Sequence, residues 1–262
     1  MVERWFYCED LQPGTVVLSP AETQHARQSL RLTAGTQIIL FDGCGHTANA
    51  TILPTAPPRN SKPGRTPKPP RSLTVRVDAV KLAAEAARSL TLIVAGCKGA
   101  RLDWLVEKCT ELGVSRILLS EFERSVVHPG AQHVRKLTRA SIEACKQCHR
   151  PRLPEIIADL PLNQAIDQVR EAALLVANRV STATPLASWL TQHQPAAQHL
   201  AIVVGPEGGL SPVEMDQLES AGAQPICLGT YTLRVETAAV AAAASWASSH
   251  FATAPKAREG GI

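Results

Sequence analysis

From Ser89 to Leu228 the chain alternates short apolar runs with longer stretches whose apolar residues recur at helical spacing. Ser89–Ala95 reads SLTLIVA, a continuous apolar run of strand length, as expected of a strand covered on both faces. Leu102, Leu105, Val106, Cys109 and Leu112 then recur at helical spacing, and Gly113 is placed to stop that helix. Val114–Ser120 reads as the next strand. Val134, Leu137, Ser141, Cys145 and Cys148 make one stripe of a further helix, whose other faces carry Arg135, Lys136, Arg139 and Lys146. Strands at Ala172–Ala177, Leu200–Val204 and Pro225–Leu228 continue the alternation. This pattern predicts an α/β fold, a parallel sheet covered by helices.

Residues 1–82 follow another pattern. Thr15–Leu18, Thr36–Phe41, Thr47–Leu53 and Leu73–Val80 cluster β-formers between turns such as Asp42-Gly43-Cys44-Gly45, which predicts a small β-barrel-like domain. A short helix is expected near Ala21–Leu30. Inside this region Pro54–Ser72 holds seven of the nineteen prolines and no apolar periodicity. It reads as a disordered loop, because it has nothing to bury against the entropy of ordering. Arg59, Lys62, Arg65, Lys68 and Arg71 make it basic, and the chain's formal charge of +4 falls to −1 once these five are set aside. Net charge therefore does not argue for an RNA-binding fold. The loop reads either as a tolerated insertion or as a basic arm that touches RNA phosphates. The second domain is expected over residues 83–252, with a flexible tail at 253–262.

Several function classes are disfavoured. The apolar stretch around Ala238–Ala247 is alanine-dominated and too short to span a bilayer. The start, MVERWFYCED, is acidic and lacks an apolar core, which disfavours a secretory signal. Seven cysteines scattered through predicted elements fit a reduced, cytoplasmic protein rather than a disulfide framework. Cys145-Lys-Gln-Cys148-His149 looks like half a zinc site. No second pair follows, and Cys145 lies on the apolar stripe, so a core role is expected and no metal. His25, His46 and His128 show no ligand spacing, and no G-x-S-x-G elbow supports a serine hydrolase.

Two loops after successive strands carry the chemistry. Gly205–Gly209 follows Leu200–Val204 and precedes a helix whose start is explicit: Ser211 as N-cap, Pro212 in the first helical position, Glu214 closing an S-x-x-E capping box. Gly222 suits the stop of that helix. Glycines before a helix let backbone N–H groups approach a ligand, although a plain structural turn fits equally well. Neither G-x-G-x-x-G nor a phosphate-binding lysine is present, and Glu207 would repel a polyanion. Leu228–Glu236 (LGTYTLRVE) is the second loop. Arg234 and Glu236 stand before the alanine-rich helix Thr237–Ser249, placed either for chemistry or as a salt bridge at a helix start.

At these residues the chain resembles the ribosomal RNA small-subunit methyltransferase E family, part of the SPOUT superfamily of trefoil-knotted methyltransferases. Arg4-Trp5-Phe6, His25 with Leu30-Arg31-Leu32, Gly35 and Phe41-Asp42-Gly43 match its N-terminal part. Lys98, Arg101, Glu107-Lys108, Glu111–Val114, Glu123-Arg124-Ser125, Glu143–Cys148 and Arg152–Glu155 follow in order. Gly205–Gly209, Leu228-Gly229, Leu233-Arg234 and Glu236-Thr237-Ala238 are the most specific segments. One departure stands out: Thr230-Tyr231 replaces the family's Pro-Arg, and Val235 its threonine. The basic loop is also long for its position.

The resemblance implies a SPOUT-type parallel sheet with a C-terminal deep trefoil knot and an N-terminal PUA-like RNA-binding domain. It implies methyl transfer from S-adenosylmethionine to N3 of a uridine in 16S rRNA, in a homodimer. Val176, Ala177, Asn178, Gly205, Pro206, Glu207, Gly208, Gly209, Leu228, Gly229, Leu233 and Thr237 are expected around the cofactor. Arg234 is assigned to the uracil anion, and Glu236 either to orienting Arg234 or to accepting the proton. Arg4, Arg27, Arg31 and Arg124 are expected to contact RNA. The alternatives are a relative acting on another RNA position, such as a 2′-hydroxyl, and an inactive RNA-binding assembly factor.

Overall fold

A computed structural model of the chain describes residues 3–54, 72–84, 86–193 and 199–251. All but the two ends of the Pro-rich loop, and the tail at 253–262, lie outside them. The chain divides into two compact units. One comprises Met1–Glu85 together with Cys145–Leu153; the other comprises Ala86–Ala144 and Pro154–Ile262.

The first unit is built on a six-stranded mixed sheet. Its strands are β1 (Trp5–Tyr7), β2 (Gly14–Val17), β3 (Gln37–Phe41), β4 (His46–Ile52), β5 (Thr74–Val77) and β6 (Lys81–Leu82). They pair in the order β1-β3-β4-β5-β2, with β6 also on β4. The sheet was expected to be barrel-like, but no ladder closes β1 onto β2 among the described residues. Strand β1 is absent from the sequence reading. It is three residues long and pairs parallel with β3, too short for alternation to register. Phe6, Ile38, Leu40, Ala50, Ile52 and Val75 fill one apolar core.

The expected helix near Ala21–Leu30 is a composite. α1 (Pro20–Gln24) is capped by Ser19, which accepts from the Glu22 amide, and a π-helical turn follows over His25–Ser29. Arg31 then adopts a left-handed φ of 52°. Lys146, placed on an outer helix face by its sequence position, is instead buried, and its Nζ donates to Oε1 of Glu22 at 3.0 Å. An ammonium desolvated to this degree requires such a partner.

The second unit is a seven-stranded, all-parallel sheet. Its strands are β7 (Ser89–Ala95), β8 (Arg116–Glu121), β9 (Glu155–Pro161), β10 (Ala173–Ala177), β11 (Thr184–Pro185), β12 (His199–Val204) and β13 (Gln224–Cys227). They run β11-β13-β10-β12-β7-β8-β9 across the sheet. The helices are α2 (Ala100–Glu111), α3 (Ala131–Cys148, its last turn belonging to the first unit), α4 (Leu162–Asp167), α5 (Leu186–Gln192), α6 (Pro212–Ser220) and α7 (Val235–Phe251). The apolar runs that define β7 and β12 form the sheet centre, where Leu90, Leu92, Ile93, Val94 and Ala201–Val203 are fully buried. Helix α7 packs on α2, α5 and β7, with Ala239, Ala242 and Ala243 fully buried. Alanines on that face allow close approach of the backbones.

Candidate active site

Because every strand of the second sheet is parallel, the loops after β10, β12 and β13 leave from the same edge. These three strands are adjacent, in the order β13-β10-β12. Ligands in open parallel sheets bind outside the carboxyl ends of the strands, and a cavity of about 350 Å³ opens there. Ala177, Asn178 and Arg179 line it from the first loop, Gly205, Pro206, Glu207, Gly209 and Leu210 from the second, and Leu228, Gly229, Tyr231, Thr232 and Leu233 from the third. Val204, Met215, Ile226, Val235 and Ala238 supply apolar surface between them. The size and the largely apolar lining suit a small organic ligand.

The second loop is held by its own sequence and by one distant segment. Ser211 and Glu214 form the reciprocal capping box at the start of α6. Glu214 is buried, and its two oxygens do different work. Oε2 accepts from the Ser211 amide and Oε1 from the Glu123 amide, both at 2.7 Å. Nη1 of Arg124 donates to the carbonyls of Gly208 at 3.1 Å and Leu210 at 3.5 Å. A turn closes inside the loop, from the Gly209 amide to the Pro206 carbonyl, with Gly209 at a left-handed φ of 73°. A Cβ on Gly205 would lie 2.9 Å from Leu210 Cδ2, so only glycine lets that leucine close over the loop.

The third loop is fastened differently. Nη1 of Arg179 donates to Oγ1 of Thr232 at 2.8 Å, while Tyr231 is 81% exposed. Arg234 is exposed too, and its carbonyl accepts the first turn bond of α7 from the Ala238 amide. Glu236, two residues on, turns the other way and is 7% exposed. Its Oε1 lies 3.6 Å from Nε of Arg101 on α2, and its Oε2 is buried with no hydrogen-bond partner among the described residues. Arg234 and Glu236 make no ion pair with each other among the described residues. Cys97 stands near the same carboxylates. Burial first, then the charges of Glu236 and Glu207, push its thiol up to about 12. A thiol held protonated in this way is no nucleophile.

Residues 84–247 match the family model for the RNA methyltransferase domain, a span that includes every residue lining the cavity. A ribosomal RNA small subunit methyltransferase E from Mycobacterium tuberculosis is 30% identical over 256 residues, covering 92% of this chain and 90% of that protein. The chain belongs to the ribosomal RNA small subunit methyltransferase E family. The Synechocystis protein of that name is 28% identical over 239 residues, 90% of this chain and 74% of that one. Two solved structures are similar throughout. A Legionella pneumophila methyltransferase in complex with the bound cofactor SAM gives a TM-score of 0.77 at 29% identity, over 93% of this chain and 96% of that one. The methyltransferase E of Neisseria gonorrhoeae, bound to S-adenosyl methionine, gives 0.78 at 26%, over 94% and 98%.

For this methyltransferase E family member, the structure brings together most of the residues expected around the cofactor. Ala177, Asn178, Gly205, Pro206, Glu207, Gly209, Leu228, Gly229 and Leu233 line one cavity. Three do not line it. Val176 is 1% exposed within the core, Gly208 packs under Arg124, and Thr237 is exposed on α7. Arg4 and Arg31 are exposed and Arg27 is half-buried, all in the first unit. Arg124, expected to face RNA, spends one nitrogen on the glycine loop. Sequence reasoning missed Arg179, which immediately follows a predicted cofactor segment, and the Arg101–Glu236 pair, which no spacing reveals. Cys145 is fully buried and its Sγ donates to the Arg152 carbonyl at 3.6 Å. Among the described residues no group of three or more His, Cys, Asp or Glu side chains gathers for a metal, and no helix is long and apolar enough to cross a membrane.

Proposed function

We propose that the chain transfers a methyl group from S-adenosylmethionine to N3 of a uridine in 16S rRNA. The observation that carries this reading is the cavity at the carboxyl ends of β10, β12 and β13, inside the span that matches the RNA methyltransferase domain. The residues present fit the cofactor. Gly229 has open space where a side chain would stand, the walls are largely apolar, and Glu207 brings a negative charge suited to a cationic ligand. When bound, S-adenosylmethionine supplies an electrophilic methyl group on a sulfonium.

What the chain itself must do is prepare uracil N3, whose lone pair is unavailable until the imide proton leaves. Arg234 stands exposed between Leu233 and Val235, both of which line the cavity. Its guanidinium is assigned to uracil O2 or O4, where it stabilises the developing anion in the manner of an oxyanion hole. The resemblance leaves Glu236 two roles, orienting Arg234 or accepting the imide proton. It makes no ion pair with Arg234 among the described residues and does not line the cavity. Oε1 lies beside Arg101, and Oε2 is buried with no hydrogen-bond partner among the described residues, so Glu236→Gln tests either role. The remaining rate enhancement comes from holding base and cofactor in line.

The wider reading has support of the same kind. A knotted C-terminus is favoured by strand order, since the chain passes from β12 beyond β10 to β13 before α7 packs back on β7. The first unit is read as a PUA-like RNA-binding domain, with Arg4, Arg27 and Arg31 toward the RNA and Arg124 assisting from the second unit. The target uridine is then unpaired or flipped out of its helix. A cytoplasmic homodimer is expected from the family resemblance.

Single-turnover methylation of 16S rRNA at saturating cofactor tests the assignment. Arg234→Ala and Glu236→Gln are each expected to slow the step by about two orders of magnitude, and near-wild-type rates for both would sink it. Nucleoside mass mapping of the product separates 3-methyluridine from a 2′-O-methyl mark. A concentration-independent monomer in sedimentation of the same preparation would contradict the dimer.

A further inference from the structure

Among the described residues only two of the side chains lining the cofactor cavity carry charge, Arg179 from the loop after β10 and Glu207 from the loop after β12. All the others are neutral and mostly apolar. The two do not form an ion pair with each other among the described residues, so neither charge is spent on its neighbour. Both side chains are exposed, and two unlike charges at the rim of one cavity suit a ligand that carries both signs. The absence of a second cation, and the presence of Glu207, count against a phosphate-bearing ligand.

Arg179 is oriented by the loop after β13. One nitrogen, Nη1, is engaged by Thr232 Oγ1 at 2.8 Å. A guanidinium has five N–H donors in a fixed fork, so the Thr232 bond sets its orientation and leaves the rest of the fork for a ligand. A carboxylate accepts such a fork with two parallel hydrogen bonds, which are stronger than neutral ones.

Resting on the cofactor reading above, we infer that Arg179 anchors the α-carboxylate of S-adenosylmethionine while Glu207 faces its cationic centres. Arg179 is then a binding residue for the amino-acid end of the cofactor. Glu207 favours the sulfonium of the cofactor over the neutral thioether of S-adenosylhomocysteine, which aids exchange of spent product for fresh cofactor.

Isothermal titration of the full-length protein with three ligands tests this. S-adenosylmethionine and S-adenosylhomocysteine both carry the amino-acid end; 5′-methylthioadenosine lacks it. Arg179→Met should weaken the first two at least ten-fold and leave methylthioadenosine within two-fold. Retained methylthioadenosine binding also shows that the variant is folded. Thr232→Val, which removes the latch but keeps the cation, should change all three by no more than about three-fold. Glu207→Gln should lower affinity for S-adenosylmethionine more than for S-adenosylhomocysteine. Equal losses for all three ligands in Arg179→Met would overturn the inference, because the arginine would then act through cavity shape. No loss for any would overturn it as well, while leaving the cofactor reading intact. A wild-type chain that binds none of the three would overturn the cofactor reading itself, and this inference with it.

Discussion

The loop Gly205–Leu210 is fastened from three sides, by its own turn, by the capping box of α6 and by Arg124. The loop Leu228–Leu233 across the same cavity is held by one side-chain hydrogen bond among the described residues, from Arg179. The first wall is pre-organised, and the cost of ordering it is met when the protein folds. The second exposes Tyr231 and Arg234 and leaves more of its arrangement for a bound substrate to fix. A binding site gains affinity from the part that is already ordered, whereas a bulky RNA substrate needs a part that yields. The division suits a site that takes one small cofactor and one large partner.

The strongest way to break this comparison is to unfasten the first wall. Glu214→Ala removes a buried carboxylate that accepts two backbone amides, one from a residue 91 positions away. Leaving both amides unpaired should destabilise the second unit by on the order of 3 kcal/mol, read as a lower midpoint in urea denaturation. A loss below about 1 kcal/mol would mean that the wall does not depend on this clamp.

Arg124→Ala sharpens the comparison at a smaller scale. Arg124 is exposed, and its two bonds to the loop are 3.1 and 3.5 Å long, so about 1 kcal/mol is at stake. If its main task is to hold the glycine loop, cofactor affinity should fall about three- to ten-fold without any RNA present. Unchanged cofactor binding combined with weaker RNA binding and a shallower salt dependence would return Arg124 to the role of a phosphate contact.

The same contrast explains what the sequence made legible. The start of α6 could be read from Ser211-Pro-Val-Glu214 because a capping box is local, and the structure reproduces each of its bonds. The central strands β7 and β12 were legible because burial on both faces leaves unbroken apolar runs. Strand β9 was not. It lies at the sheet edge with mixed polarity, and its ladder shifts register where Asp159 adopts a φ of 61°. At the site, residues next to the glycine turns were found from their neighbours in the chain. The second task of Glu214, and the pairing of Glu236 with Arg101, depend on which strand lies beside which. Short-range patterns do not encode that order.

The mildest change probes the second wall. Tyr231 stands where the family resemblance places an arginine, and it is 81% exposed at the cavity rim. If that wall is loosely specified, Tyr231→Arg should alter stability by no more than about 0.5 kcal/mol, the range of ordinary surface substitutions. Cofactor affinity should stay within about two-fold, because Tyr231 projects into solvent and makes no hydrogen bond among the described residues. RNA affinity is then free to rise, since a guanidinium adds a phosphate contact that the phenol lacks. Titration of the variant with S-adenosylmethionine decides the matter. A ten-fold loss would show that the phenol ring is part of the cofactor wall, so that both walls are specified to a similar degree and the contrast between them fails.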